Sequence, residues 1–301
     1  MKILMTASLL RRSFAYATTA TLLFAQSCST SPNAQEPSTA VLAQQHNDKH
    51  STQVGSHAGH SMHSSSDTKT NAAIQAKLTV PETVAVNAPV PLVINVQDAT
   101  EKPIDKFDVS HEQLMHLIVV SDDLRFFDHL HPRYEGNGRF TIEAQLPKSG
   151  GYTLFSDYKP AGQPAQVSTL KTQVPGDSSS SPDVNFKRSQ TFTNTKVNLE
   201  LPTETVKAGE EVAVTFNLKG SNNQPVTDLQ PYMGERGHLV ILRQSASLTS
   251  ADYIHAHAIK DTTPGRVQFV TSLPKPGLYK LWGQFNRNGE IVTADFWVKA
   301  N

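Results

Sequence analysis

One arrangement of residues occurs twice in this chain and constrains everything else about its fold. His116-Leu117-Ile118-Val119-Val120 is followed by Phe127-Asp128-His129-Leu130-His131, and His238-Leu239-Val240-Ile241-Leu242 by Tyr253-Ile254-His255-Ala256-His257. In each copy a histidine opens an apolar, β-branched run, and a His-x-His pair follows an aromatic residue. Apolar β-branched runs of this length read as strands. On a strand, alternate residues share a face about 6.5–7 Å apart, and paired strands lie about 4.8 Å from one another. Two imidazoles from a His-x-His pair and one from the adjacent strand then converge on a space of ionic size.

The repetition extends beyond the histidines. Val84–Val120 aligns without gaps on Val206–Leu242 at an offset of 122, and four extra residues in the second copy bring His129 and His131 onto His255 and His257 at 126. Gly138-Arg139-Phe140 then meets Gly265-Arg266-Val267, and Leu146-Pro147-Lys148 meets Leu273-Pro274-Lys275. The first copy holds seven short strand signals, at Lys77–Val80, Val90–Val96, Met115–Ser121, Phe126–His131, Arg139–Leu146, Tyr152–Tyr158 and Ser168–Val174. Pro, Gly, Asn and Asp clusters separate them, and no helical period is sustained. Seven such strands in about 100 residues predict an immunoglobulin-like sandwich. Gly150-Gly151-Tyr152 and Gly277-Leu278-Tyr279 read as tyrosine corners, with Phe155 and Trp282 following at one equivalent place as core residues. The fold class is therefore all-β, with two tandem immunoglobulin-like β-sandwiches: module 1 over 73–175, a Ser-rich linker over 176–183, and module 2 over 184–301.

The segment before the modules reads differently. Residues 1–27 form a signal peptide, with Lys2, Arg11 and Arg12 ahead of an apolar stretch too short to span a membrane comfortably. Ala25-Gln26-Ser27-Cys28 resembles a lipoprotein cleavage box, so Cys28 is the expected lipidation site. Arg11-Arg12-Ser13-Phe14 resembles a twin-arginine start. Residues 28–72 have the composition of a disordered tether carrying His46, His50, His57, His60, Met62 and His63. Cys28 is the single cysteine, which excludes an intrachain disulfide. Without residues 1–27 the chain keeps 24 basic and 27 acidic residues, a balance that gives no reason to expect nucleic acid.

All twelve histidines fall into three groups: five in the tether, four in module 1 and three in module 2. One His-x-His pair is accounted for by an edge strand turned to water. Two coincident three-histidine sets point instead to metal ions, bound by His116, His129 and His131 in module 1 and by His238, His255 and His257 in module 2. Imidazoles without thiolate suit copper or zinc, and Cu(II) binds more tightly than Zn(II) at an open nitrogen site. His111 and Met233 occupy one equivalent position and are further candidate ligands, as are His57, His60, Met62 and His63 in the tether. Met115, beside His116, extends this His/Met vocabulary, which suits copper. Asp128 lies next to His129 on its strand and is expected on the opposite face. Gly-rich phosphate loops and a Gly-x-Ser-x-Gly elbow are missing from the sequence.

The string from His111 to Leu124, continued by Phe127–Pro132, resembles a widespread group of bacterial secreted proteins, and Pro231–Leu242 resembles its partner repeat. The resemblance covers both modules and implies an exported, copper-resistance-like β-sandwich, similar in architecture to CopC and YtkA-type domains. CopC's own ligand pattern does not map cleanly onto these positions. The expectation is a lipid-anchored protein of the bacterial envelope. It would bind copper, or failing that zinc, and buffer it or hand it to a metal transporter or metalloprotein without covalent chemistry. Two other readings stay open: an adhesion-type tandem sandwich whose histidines are incidental, and a metal-dependent hydrolase or lyase.

Overall fold

The computed structural model describes residues 73–176, 181–260 and 263–301. The expected signal peptide, Cys28 and the expected tether with His57, His60, Met62 and His63 lie outside the described residues, as does part of the linker.

Module 1 is built from eight strands: β1 (Gln75–Thr79), β2 (Pro89–Gln97), β3 (Met115–Ser121), β4 (Phe127–Leu130), β5 (Arg133–Gly136), β6 (Arg139–Gln145), β7 (Gly150–Tyr158) and β8 (Gln166–Val174). One sheet runs β1-β2-β6-β5 and the other β4-β3-β7-β8, with every pairing antiparallel. Module 2 repeats the plan with β9 (Ser189–Thr191), β10 (Thr195–Glu200), β11 (Glu211–Gly220), β12 (Leu229–Gln230), β13 (His238–Arg243), β14 (Tyr253–His257), β15 (Arg266–Ser272), β16 (Gly277–Arg287) and β17 (Glu290–Ala300). Its sheets run β15-β11-β10-β9 and β12-β16-β13-β14, with β17 along the other edge of β16. These are two tandem β-sandwiches. The short β5 is the strand that composition did not announce, because Arg133, Tyr134 and Glu135 show no buried alternation. His131 falls just past the end of β4.

The repeated sequence signals correspond to repeated contacts. Tyr152 donates its hydroxyl to the Lys148 carbonyl (2.8 Å) and Tyr279 to the Lys275 carbonyl (2.7 Å), so both tyrosine corners form. Gly138 and Gly265 sit at φ +68° and +65°, where a Cβ would fall 2.3 Å from the Val96 carbonyl oxygen and 2.4 Å from that of Leu218. Only glycine permits that backbone and that approach. The extra residues of module 2 are taken up by a loop with a 3₁₀ turn at Ser250–Asp252. It is pinned by the buried Asp252 carboxylate, which accepts from Arg243 Nε (3.0 Å), Ser245 Oγ (3.0 Å) and the Thr249 amide (3.1 Å).

The central strands β3 and β13 explain why their sequences are apolar on consecutive residues. Leu117 and Val119 face the core of module 1, while Leu239 and Ile241 face that of module 2. Their alternates Ile118, Val120, Val240 and Leu242 form a third cluster with Phe155, Trp282, Trp297, Leu124 and Leu248. That cluster is the contact between the modules. A strand buried on both faces loses the apolar–polar alternation of a surface strand. Phe155 and Trp282 are thus core, as read from sequence, but core of the interface rather than of their own sandwiches. Phe127 stacks on Trp282 (centroids 4.9 Å, 16°) and Tyr253 on Phe155 (5.1 Å, 19°), the same pair made in both directions. Each large side chain fully buried here contributes on the order of 1.5–3 kcal/mol. Since residues two apart share a face, His116 and His238 point the same way as Ile118 and Val240, into the interface.

Candidate metal centre

Each triad is assembled by strand register. His238 pairs with His257, and Val240 with His255, across β13 and β14; Ile118 pairs with His129 across β3 and β4. The ligand nitrogens of His116, His129 and His131 lie within 4.8 Å of one another, and so do those of His238, His255 and His257. Both are three-histidine clusters able to hold a metal ion.

Hydrogen bonds fix which nitrogen is free in the first two rings of each triad. A tight turn precedes each histidine strand, with His111 and Glu112 at φ 48° and 66° in one and Met233 and Gly234 at φ 53° and 77° in the other. The carbonyl of the residue opening the turn accepts from the first histidine: His116 Nε2 donates to Ser110 O and His238 Nε2 to Tyr232 O, both at 3.0 Å. A carbonyl can only accept, so Nδ1 of each ring carries the lone pair. His129 Nδ1 lies 2.7 Å from Gln284 Oε1, whose amide nitrogen donates in turn to Thr293 Oγ1 (3.2 Å). His255 Nδ1 lies 3.2 Å from Asp157 Oδ2. Both Nδ1 atoms therefore donate, and both Nε2 atoms carry lone pairs.

The consequence is unusual for buried polar atoms. His116 Nδ1 faces His129 Nε2 at 3.0 Å and His238 Nδ1 faces His255 Nε2 at 3.2 Å. Lone pair meets lone pair in both triads. The third ring of each adds a further buried nitrogen without a partner, His131 Nε2 and His257 Nδ1. A shared proton would relieve the clash, but burial opposes it. Desolvation together with the neighbouring imidazoles holds His238 at about 2, His255 at about 3, His257 at about 3 and His131 at about 4. His129 is also held well below the ordinary imidazole range by burial, and His116 is lowered for the same reason. At neutral pH the rings are uncharged and offer lone pairs inward, which is the state a metal ion requires.

The two triads meet. Asp157 lies beside His116 in the module 1 sheet yet reaches His255 of module 2, and Gln284 lies beside His238 yet reaches His129 of module 1. Asp157 also accepts from Tyr253 Oη (3.3 Å), and burial pushes its carboxyl pKa up. Neither residue was singled out from the sequence. The signal was present: both stand two residues past Phe155 and Trp282, on the same face of their strands.

The remaining candidates divide. His111 stacks on His257 of the other module (3.6 Å, 17°) and lies farther from its own module's His116 (6.3 Å). Met233 is buried in the equivalent turn. Met115 packs in the core of module 1, because it alternates with His116 and takes the opposite face. It drops out of the ligand vocabulary. Asp128 pairs with Val119, takes the amide of His129 on its own carboxylate (2.9 Å), and stands outside both triads.

The chain belongs to the family described as "Domain of unknown function (DUF8832)", which matches it twice, over residues 68–174 and 190–301. That description carries no metal and no activity. No curated protein matches the chain. Among solved structures, it is similar to the Escherichia coli adhesin FdeC at 17% identity and TM-score 0.25, covering 75% of this chain and 64% of the adhesin. It is also similar to Salmonella alpha-2-macroglobulin reacted with methylamine, at 14% identity and TM-score 0.26, covering 75% of this chain and 14% of that one. For a two-domain fibronectin type-III segment of chicken tenascin the identity is 13% and the TM-score 0.22, with 74% of this chain and 97% of that one covered. The sandwich class rests on the sheet topology described above rather than on these likenesses.

Proposed function

We propose that this is an exported metal-binding protein of the bacterial envelope that holds copper, in preference to zinc, at its two three-histidine sites and buffers it or passes it on. The observation that carries the reading is the pair of opposed imidazole lone pairs in each triad, at 3.0 and 3.2 Å, with no proton available to separate them. Burying polar atoms unpaired costs about 1–3 kcal/mol each, and a cation removes that cost for three nitrogens at once. An adhesion module with incidental histidines would leave each ring bonded to backbone and turned away from the others. Here the rings converge, and the third ring of each set has a bare nitrogen. Copper is favoured over zinc by the affinity order at open nitrogen sites. Anchoring through Cys28, capture of ions by the tether, and delivery to an envelope transporter or metalloprotein complete the proposal.

The test is equilibrium dialysis of a chain carrying His46→Ala, His50→Ala, His57→Ala, His60→Ala and His63→Ala against Cu(II) and Zn(II) at pH 7. Two ions per chain are expected, with copper displacing zinc. Retention of neither metal would end the reading and leave a tandem sandwich that serves an envelope partner by its surface.

A further inference from the structure

Rings of different triads lie nearly as close as rings of one triad. Within the triads the centroids are 4.7–5.7 Å apart. Between them, His116 stands 5.5 Å from His255 and 6.3 Å from His238, and His129 stands 6.1 Å from each of these. The closest approach between the two sites, 5.5 Å from His116 to His255, falls within the spacings found inside each site.

We propose that the two triads form one two-metal centre shared between the modules, with the ring of His111 of module 1 stacked on His257 and holding it in position toward the ion shared by His238, His255 and His257. This rests on the metal-binding reading and goes beyond it, since two separate one-ion sites would satisfy that reading equally well.

Three observations support the shared centre. The groups that orient the middle histidine of each triad come from the opposite module, Gln284 for His129 and Asp157 for His255, so neither site is complete without both sandwiches. Such outer partners set the ring orientation and basicity of a metal-bound histidine. His111 crosses the interface as well: its ring stacks on His257 and lies 5.8 Å from His238 and 6.1 Å from His255. It is held there by a turn that places a non-glycine residue at φ 48°, a backbone position that L residues seldom take. Finally, the apolar contact between the modules continues directly into the triads, because Ile118 and Val240 occupy the next position on the same strand faces as His116 and His238. The interface that joins the sandwiches also buries His116, His129 and His238. Two cations this near one another inside protein repel strongly. Asp157 is the one carboxylate hydrogen-bonded to a triad ring among the described residues, so the second ion enters against the charge of the first.

Electron paramagnetic resonance of Cu(II) tests the proposal on the chain with the five tether substitutions. One equivalent is expected to give an isolated Cu(II) spectrum. Two equivalents are expected to give a spectrum broadened by spin–spin coupling, with less than twice the intensity and a half-field line. Two bound ions with a sharp, strictly additive spectrum would overturn the shared centre while leaving the binding reading intact. A single ion, lost equally when either triad is changed, would overturn the two-metal count. Absence of bound copper would overturn the underlying reading as well. For His111, the chain is further changed by His129→Ala and His131→Ala so that one ion remains. Adding His111→Ala should then shift its hyperfine values and weaken binding at least tenfold, whereas His111→Phe, which can stack on His257 but offers no nitrogen, should keep both. An unchanged spectrum and affinity on His111→Ala would remove His111 from the centre.

Discussion

The two triads are alike in how their first two rings are held and unlike in what stands behind the middle one. In both, a turn carbonyl fixes the first ring, the middle ring is oriented from across the interface, and the third ring ends in a bare buried nitrogen. Behind the middle ring, however, the module 1 triad has the neutral amide of Gln284 and the module 2 triad the carboxylate of Asp157. A carboxylate increases the electron density its imidazole presents to a metal more than an amide does. The turns differ in the same sense, with His111 at one and Met233 at the other. Duplication has kept the donor set and varied its surroundings, so the two sites should differ in affinity and in the softness of the ion they favour.

The largest effect expected on this comparison comes from deleting one side of it. His129→Ala with His131→Ala should take the bound copper from two ions to one in dialysis, and His255→Ala with His257→Ala should do likewise. If either pair leaves two ions bound, the triads are not the sites.

Next comes acid. In the metal-free protein the histidine pKa values are depressed from the ordinary 6.5, to about 4 for His131 and about 3 for His255 and His257. Below pH 6.5 the unfolded chain takes up protons that the folded chain refuses, so stability is full above that pH. It falls as pH drops through the window from 6.5 to about 3, by about 1.4 kcal/mol per pH unit for each such proton. Urea melts across that range should show a steep loss, and metal should move the loss to lower pH. Exposed imidazoles would surrender metal below about pH 6, whereas these should retain it well below that. A flat urea midpoint between pH 6.5 and 4 would contradict the burial of the rings.

Exchanging the outer partners sharpens the comparison further. Asp157→Asn should weaken the module 2 site by roughly 10–100-fold and bring it level with its counterpart, as read by competition titration. Gln284→Glu should strengthen the module 1 site. Equal affinities before and after would show that the layer behind the ligands does not separate the sites.

The smallest effect lies where the halves agree. Tyr152→Phe and Tyr279→Phe each remove one corner hydrogen bond and should cost about 1 kcal/mol in thermal or urea unfolding, without touching metal stoichiometry. A clear difference between the two would mean that the sandwiches are not equivalent as scaffolds.

Much of this was legible in the amino-acid order, because strands announce themselves locally. Turn residues, β-branched runs and the Gly-x-Tyr corners predicted the paired sandwiches, and the duplicated His-x-His pairs, with the histidine that opens each apolar run, picked out the six triad histidines. The pleat then decides that residues two apart share a face, so each triad follows from pairing within one module. What the sequence could not settle was the second face of β3 and β13. Ile118, Val120, Val240 and Leu242 read equally well as ordinary core, and nothing local says that their partners lie in the other half of the chain. Asp157 and Gln284 were overlooked for the same reason, since each serves a histidine about 100 or more positions away in the sequence. Local chemistry determined which residues could offer nitrogen to an ion. The packing of one sandwich on the other, driven by apolar surface that has no directional code, brought the two sets face to face.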